Sequence, residues 1–196
     1  MAAAAAGNPV MSFKNKLKIR EYSEGYRLFD LRRGSSSGRE WKSSVFFFLG
    51  LAMLFILMMQ RFNIVKLPVC AIVLLISAYM CTHYVYMLPK KAKLKGEHIF
   101  KSSKLLSKEY EFEIYKEYFV MKNEYEYLKR YYTDITDCIE TDNIFLLIGG
   151  IERRITVISK RCLSEKESER LSQYFQKEMI RQYRRTRSKN KGRNAK

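Results

Sequence analysis

Two apolar runs constrain this chain more than any other feature. Val45 to Met59 holds fifteen residues without a polar side chain, and Leu67 to Leu88 holds twenty-two with no charge other than any carried by His83. A soluble core helix rarely stays apolar on every face for so long. A membrane span takes about 20 apolar residues at about 1.5 Å each. The second run meets that length directly. The first meets it once Ser43, Ser44 and Phe62 are added and Trp41 is set at an interface. The sequence therefore predicts a transmembrane hairpin, helices 41–62 and 67–88, with "QRFNIVK" at its tip. Pro68 falls at the start of the second helix, where its missing N–H costs nothing.

The distribution of charge gives that hairpin an orientation. The formal net charge is +17, and it is unevenly placed: residues 1–42 carry an excess of five positive charges, Lys90 to Lys95 four, and residues 181–196 eight, whereas 97–180 is acidic by two. Lys and Arg mark cytoplasmic flanks, so the expectation is a multi-pass plasma-membrane protein with both termini cytoplasmic. Gly50, Ala52, Cys70, Ala71, Ser77, Ala78 and Cys81 are small enough to let the two helices approach closely. His83 sits among Tyr79, Tyr84 and Tyr86 and reads as an interfacial residue. Neither run holds an acid with which it would form a proton relay. "MAAAAA" is too short and too weakly apolar for a cleaved signal, so 1–11 reads as a disordered leader.

The rest of the chain changes period. "EYEFEIY" alternates, with Tyr110, Phe112 and Ile114 on one face and Glu109, Glu111 and Glu113 on the other, which is a half-buried strand. "EYFVMK", a turn near Asn123, "YEYLKRYY", "ITDCIET" and "IFLLI" follow. Gly149-Gly150 then reads as a hairpin turn into "IERRITVI". Six strands in so short a stretch predict an antiparallel meander, forming a small sheet or barrel. "SEKE" at Ser164 to Glu167 is a capping box, and Leu171, Tyr174, Phe175 and Met179 form one helical stripe that can dock on the open sheet. The predicted fold class is α+β. Its parts are a leader (1–11), an N-terminal strand and short helix (12–40), the hairpin (41–62 and 67–88), a C-terminal domain (97–180) and a basic tail (181–196). Within 12–40, "LKIREY" can add an edge strand to the C-terminal sheet. "SEGYRLFDLRR" is either a short amphipathic helix or a plain connector.

"KLKIREY", a hairpin of two apolar runs, and "DITDCIETDNIFLLI" followed by "ITVISKRCLSEKESERL" together resemble the YcxB-like membrane proteins of bacteria. The resemblance covers most of residues 12–180. It rests on Asp134-Ile135, on Ile139 to Thr141 with Phe145 to Leu147, and on Ile158 to Ser164. It implies a small pleckstrin-homology-like domain closed by a helix, and it carries over no catalytic residue. The family tends to have proline where this chain has Ser159.

The search for chemistry ends quickly. The chain holds only His83 and His98, so no Ser–His–Asp arrangement has a suitable histidine. No GxGxxG, P-loop or HExxH is present. Cys70, Cys81, Cys138 and Cys162 lack metal-ligand spacing. The sequence thus points away from an enzyme and names no cofactor, metal or small-molecule substrate. It points instead to a membrane-anchored, non-catalytic binding or scaffold module. Tyr115, Tyr125 and Tyr127 are a candidate protein-contact surface, for an unidentified protein or a second copy. The alternative is a lipid or nucleic-acid binder working at a membrane surface through Lys90, Lys91, Lys93, Lys95, Arg184, Arg185 and Arg187. Membrane lipids are the expected contact of those residues; nucleic acid is disfavoured because the basic excess lies off the folded domain.

Overall fold

The computed structural model describes residues 8–33, 45–54, 56, 66–149 and 154–186. The chain divides into two compact units. One comprises 1–25 with 97–196, and the other 26–96.

The first unit is built on two four-stranded sheets. β1 (Met11–Lys16), β2 (Glu109–Ile114), β3 (Tyr118–Lys122) and β4 (Tyr127–Tyr131) form an antiparallel sheet in that order. The second sheet has the order β7-β6-β5-β8, from β5 (Ile135–Glu140), β6 (Ile144–Gly149), β7 (Arg154–Ser159) and β8 (Tyr183–Arg185). The single meander expected from the sequence is therefore corrected to two sheets. One of them is mixed, because β8 runs parallel to β5. Residues 183–185, read as part of a basic tail, are that edge strand. The N-terminal strand is Met11–Lys16, not "LKIREY", whose residues from Ile19 onward begin helix α1 (Ile19–Arg33).

One continuous core fills the space between the sheets. Phe13 stacks on Phe112 at 5.4 Å, Phe112 on Phe119 at 6.3 Å, and Phe145 meets Phe175 edge-on at 5.7 Å. Phe175 comes from a C-terminal helix, Glu165–Glu178, whose stripe of Leu171, Phe175 and Met179 is fully buried. That helix starts at the Ser164–Glu167 capping box: the Ser164 N–H donates to Glu167 Oε2 at 2.8 Å, and the Glu167 N–H donates to Ser164 Oγ at 3.3 Å. β6 is buried along its whole length because both faces are covered. Phe145 and Leu147 enter the core. On the other face Ile144 and Leu146 lie under α1 at Gly25, where an added Cβ would stand 2.8 Å from Val157. A side chain at that position would force Val157 or the helix to shift.

The two sheets are joined by a side chain. Asn15, buried on β1, donates from Nδ2 to the Val157 carbonyl at 3.1 Å and accepts from the Ser159 N–H at 2.9 Å. Its amide thus substitutes for a peptide group between β1 and β7. Around it, Arg161 donates to the Lys16 carbonyl at 2.9 Å and to Glu21 at 3.1 Å, and the Ser159 hydroxyl donates to Glu21 at 2.8 Å. Glu21 also accepts from the Lys18 N–H at 2.8 Å and so caps α1. Burial pushes the Glu21 carboxyl up, but these donors outweigh it and its pKa is lowered.

The second unit corrects the membrane expectation. Among the described residues, no helix is long and apolar enough to cross a membrane. The run 67–88 is not one α-helix. It is divided between α2 (Lys66–Thr82), a π-helical turn (His83–Met87) and α3 (Leu88–Ser102). The seventeen residues of α2 span roughly 25 Å, short of an apolar layer about 30 Å thick, and α3 is studded with Lys90, Lys91, Lys93 and Lys95. Of the expected first span, 45–54 is helical. Residues 41–44, 55 and 57–59 of that span and the "QRFNIVK" tip, apart from Lys66, lie outside the described residues, as do 1–7 of the leader and 150–153 of the β6–β7 connection. The two-pass topology and the plasma-membrane location with cytoplasmic termini fall with the spanning helices. Gly50 does meet α2 closely, for a Cβ there would stand 2.9 Å from Ser77 Oγ. Phe48, Leu75 and Tyr86 are 66, 70 and 71% exposed, among many exposed apolar neighbours.

Two substitutions test the packing of the first unit. Asn15→Ala leaves the Val157 carbonyl and the Ser159 N–H buried without partners, so it should cost about 2–4 kcal/mol in denaturant unfolding. Lys14→Ala, one residue away and exposed, should change stability by less than about 0.5 kcal/mol. Equal stability of the two variants would mean that the sheets do not depend on the bridge. Leu171→Ala should cost about 2–5 kcal/mol, and an unchanged unfolding midpoint would refute a docked C-terminal helix.

Candidate functional site

The tyrosines picked out by sequence separate into two groups along the β3–β4 hairpin. Tyr115 is half-buried at the β2–β3 end. Its hydroxyl donates to Glu113 at 2.8 Å, and its ring stacks on Tyr118 at 4.7 Å. Tyr125 and Tyr127 stand at the opposite end, at and just after the turn, and are 64 and 69% exposed. The Asn123 side chain forms that turn by accepting from the Tyr125 and Glu126 N–H groups at 2.8 and 2.7 Å.

Two further residues complete the surface. In β4 the alternation of "YLKRY" sends Tyr127, Lys129 and Tyr131 to the outer face, while half-buried Leu128 and Arg130 lie on the other. Lys129 Nζ lies 3.8 Å from the Tyr118 ring centroid and 4.9 Å from that of Tyr131. Hydrogen bonding to Tyr131 is the main cause of its raised pKa. Tyr118 and Tyr131 meet edge-on at 5.7 Å. The outer face of β4 is therefore a pair of phenol rings flanking Lys129, with Tyr118 of β3 beside them. Alternation in "YEYLKRYY" could have shown Tyr127, Lys129 and Tyr131 together; only strand pairing adds Tyr118, which sits opposite Tyr131.

The acidic face of β2 is matched by lysines. Lys14 lies 3.4 Å from Glu109, and Lys122 lies 3.4 Å from Glu111 and 2.6 Å from Glu113. Lys14, Glu109, Glu111 and Lys122 line an open groove of about 490 Å³ together with Asn123 and Tyr125. The carboxylates are thus each engaged by a cation rather than set as an acid–base pair. Among the described residues no cluster of His, Cys, Asp and Glu is placed to hold a metal ion.

The basic residues do not gather in one place. Lys90, Lys91, Lys93 and Lys95 are exposed on α3 in the second unit, with Ala92 and Gly96 buried between them. Arg184 and Arg185 belong to β8 in the first unit, and Arg187 lies outside the described residues. Arg185 Nε is 3.6 Å from Glu140, so part of its charge is matched within the fold.

Glu140 itself was missed by the sequence reading. It is 2% exposed at the end of β5. Its carboxylate accepts from Lys160 at 2.6 Å, from the Ser172 hydroxyl at 2.7 Å and from the Tyr183 hydroxyl. Burial pushes its pKa up, but the bonds from Lys160, Tyr183 and Ser172 outweigh that and leave it lowered. Burial, together with the bond to Glu140, pushes Tyr183 up to about 12. The cluster fastens the C-terminal helix and β8 to β5. All its carboxylate oxygens are engaged, so it is a structural lock rather than a reactive centre.

No family model, curated protein or solved structure matches this chain. Its functional reading therefore rests on its own geometry.

The Glu140 lock has a pH signature. A carboxyl whose pKa is lowered in the folded state contributes stability that is full above its unfolded value, 4.5, and is lost as pH falls toward the native value. Stability of the native chain should therefore decline between about pH 6 and pH 3 more steeply than that of Glu140→Gln. Parallel pH curves for the two proteins would show that the carboxylate charge is not what holds β8.

Proposed function

We propose that this chain is a non-catalytic protein-binding module, and that the outer face of β3–β4 is its recognition surface. One observation carries the reading. Tyr127 and Tyr131 are 69 and 43% exposed on either side of Lys129, and Tyr125 is 64% exposed at the adjoining turn, on a sheet whose opposite face lines the core. Large rings with polar tips are favoured at contact surfaces because they bury much area at small entropic cost. A tyrosine needed only for packing would be covered, as Tyr110 and Tyr132 are. The resemblance to YcxB-like proteins fits a binding role, since it implies no catalytic residue. The exposed apolar helices of the second unit fit it too, because isolated proteins seldom leave such surface uncovered.

The test is a photo-cross-linking amino acid placed at Tyr127 of the full chain in its native cells. Discrete adducts to another protein should form from Tyr127 and not from Lys166, an exposed position on the C-terminal helix. Adducts from neither position, or equally from both, would overturn the reading.

A further inference from the structure

We infer that the free edge of β4 binds an extended segment of a partner protein by strand addition, and that the segment carries an acidic residue opposite Lys129. The inference rests on the protein-binding reading above and names its mode and partner chemistry.

The phase of the β3–β4 ladder fixes what the edge offers. The Asn123 N–H bonds the Glu126 carbonyl at 2.9 Å, and the Tyr132 N–H bonds the Glu117 carbonyl at 3.1 Å. In an antiparallel pair, bonded and non-bonded pairs alternate. Residues 128 and 130 therefore turn their peptide groups toward β3, and Tyr127, Lys129 and Tyr131 turn theirs away from it. No described residue bonds these three outward N–H and C=O sets. β1 and β7, the other long edges, are linked to each other at one point through Asn15. β8, the remaining edge strand, has only three residues. β4 is thus an open edge of five residues whose outward backbone groups have no partner among the described residues.

The same three residues place their side chains on the outer face, so a strand added here would meet Tyr127, Lys129 and Tyr131 directly across. Charge selects the occupant. A second copy using all three edge residues would pair antiparallel about Lys129 and set that lysine against its own copy, which is unfavourable. An aspartate or glutamate at that place instead meets a cation on the same outer face, where Lys129 stands over Tyr118 at 3.8 Å and Tyr131 at 4.9 Å. The neighbouring partner side chains on that face would pack on the rings of Tyr127 and Tyr131. Recognition of this kind takes affinity from main-chain bonds and specificity from alternate side chains.

The experiment uses the full chain and short synthetic peptides rich in threonine and valine with one central residue varied. With a central glutamate at saturation, hydrogen exchange of the Tyr127, Lys129 and Tyr131 amides should slow by about tenfold or more. A central lysine should weaken binding by about three- to tenfold, and Lys129→Glu should reverse that preference. N-methylation of the peptide on its β4-facing amides should abolish binding while leaving every side chain in place. Binding that survives N-methylation, exchange that slows elsewhere but not at these amides, or no binding of the glutamate peptide would each overturn strand addition. If adducts still form from Tyr127 in such a case, the binding-module reading stands and only its mode is wrong. If they do not, the broader reading has failed as well.

Discussion

The first unit depends on one amide. Neither sheet closes on itself, and the strands that must meet, β1 and β7, share no ladder. Asn15 spans the gap by presenting a carbonyl and an N–H from a side chain, and so satisfies Ser159 and Val157 as a neighbouring strand would. Because the amide is buried, its bonds do not compete with water, and losing it would leave two backbone groups without partners. Ser159 fits this role in both its groups: its N–H serves Asn15 and its hydroxyl serves Glu21. A proline at this position would have no N–H to give and could not make the bond to Asn15.

The opposite edge of the second sheet is held by charge instead. β8 is only three residues long and pairs parallel to β5. Parallel pairing of so short a strand is weak by itself. Glu140 compensates by gathering Lys160, Ser172 and Tyr183 from three separate elements onto one carboxylate. A buried carboxylate is tolerable only with such partners, and here the partners are what bring helix and strand to the sheet. With one edge closed by Asn15 and the other locked by Glu140, the edge of β4 remains open. Its outer face carries tyrosines that the core does not use.

The second unit presents a different physical problem. α2 and residues 45–54 carry apolar side chains with little packed against them, and the π-helical turn at His83–Met87 separates that surface from the lysines of α3. Gly50 against Ser77 shows close helix contact within the unit, while Phe47, Phe48, Leu49, Leu75 and Ile76 are exposed.

The sequence by itself determined the features governed by near neighbours. The alternation of "EYEFEIY", the buried run "IFLLI" and the Ser164–Glu167 capping box are set by period-two patterning, continuous burial and local hydrogen bonding. All three are found on the strands and helix that those patterns describe. Tertiary structure alone decided what depends on residues far apart in the chain. Nothing around Asn15 in sequence marks it as the joint between sheets, since its partners lie more than a hundred positions away. Nor does "RQYRRT" look like a strand until Glu140 captures Tyr183. The length of an apolar run did not reveal where its helix changes form, because the shift from α to π bonding at His83 leaves hydropathy unchanged. Composition and period report what each segment can bury; which distant group satisfies each buried donor and acceptor is settled only when the sheets meet.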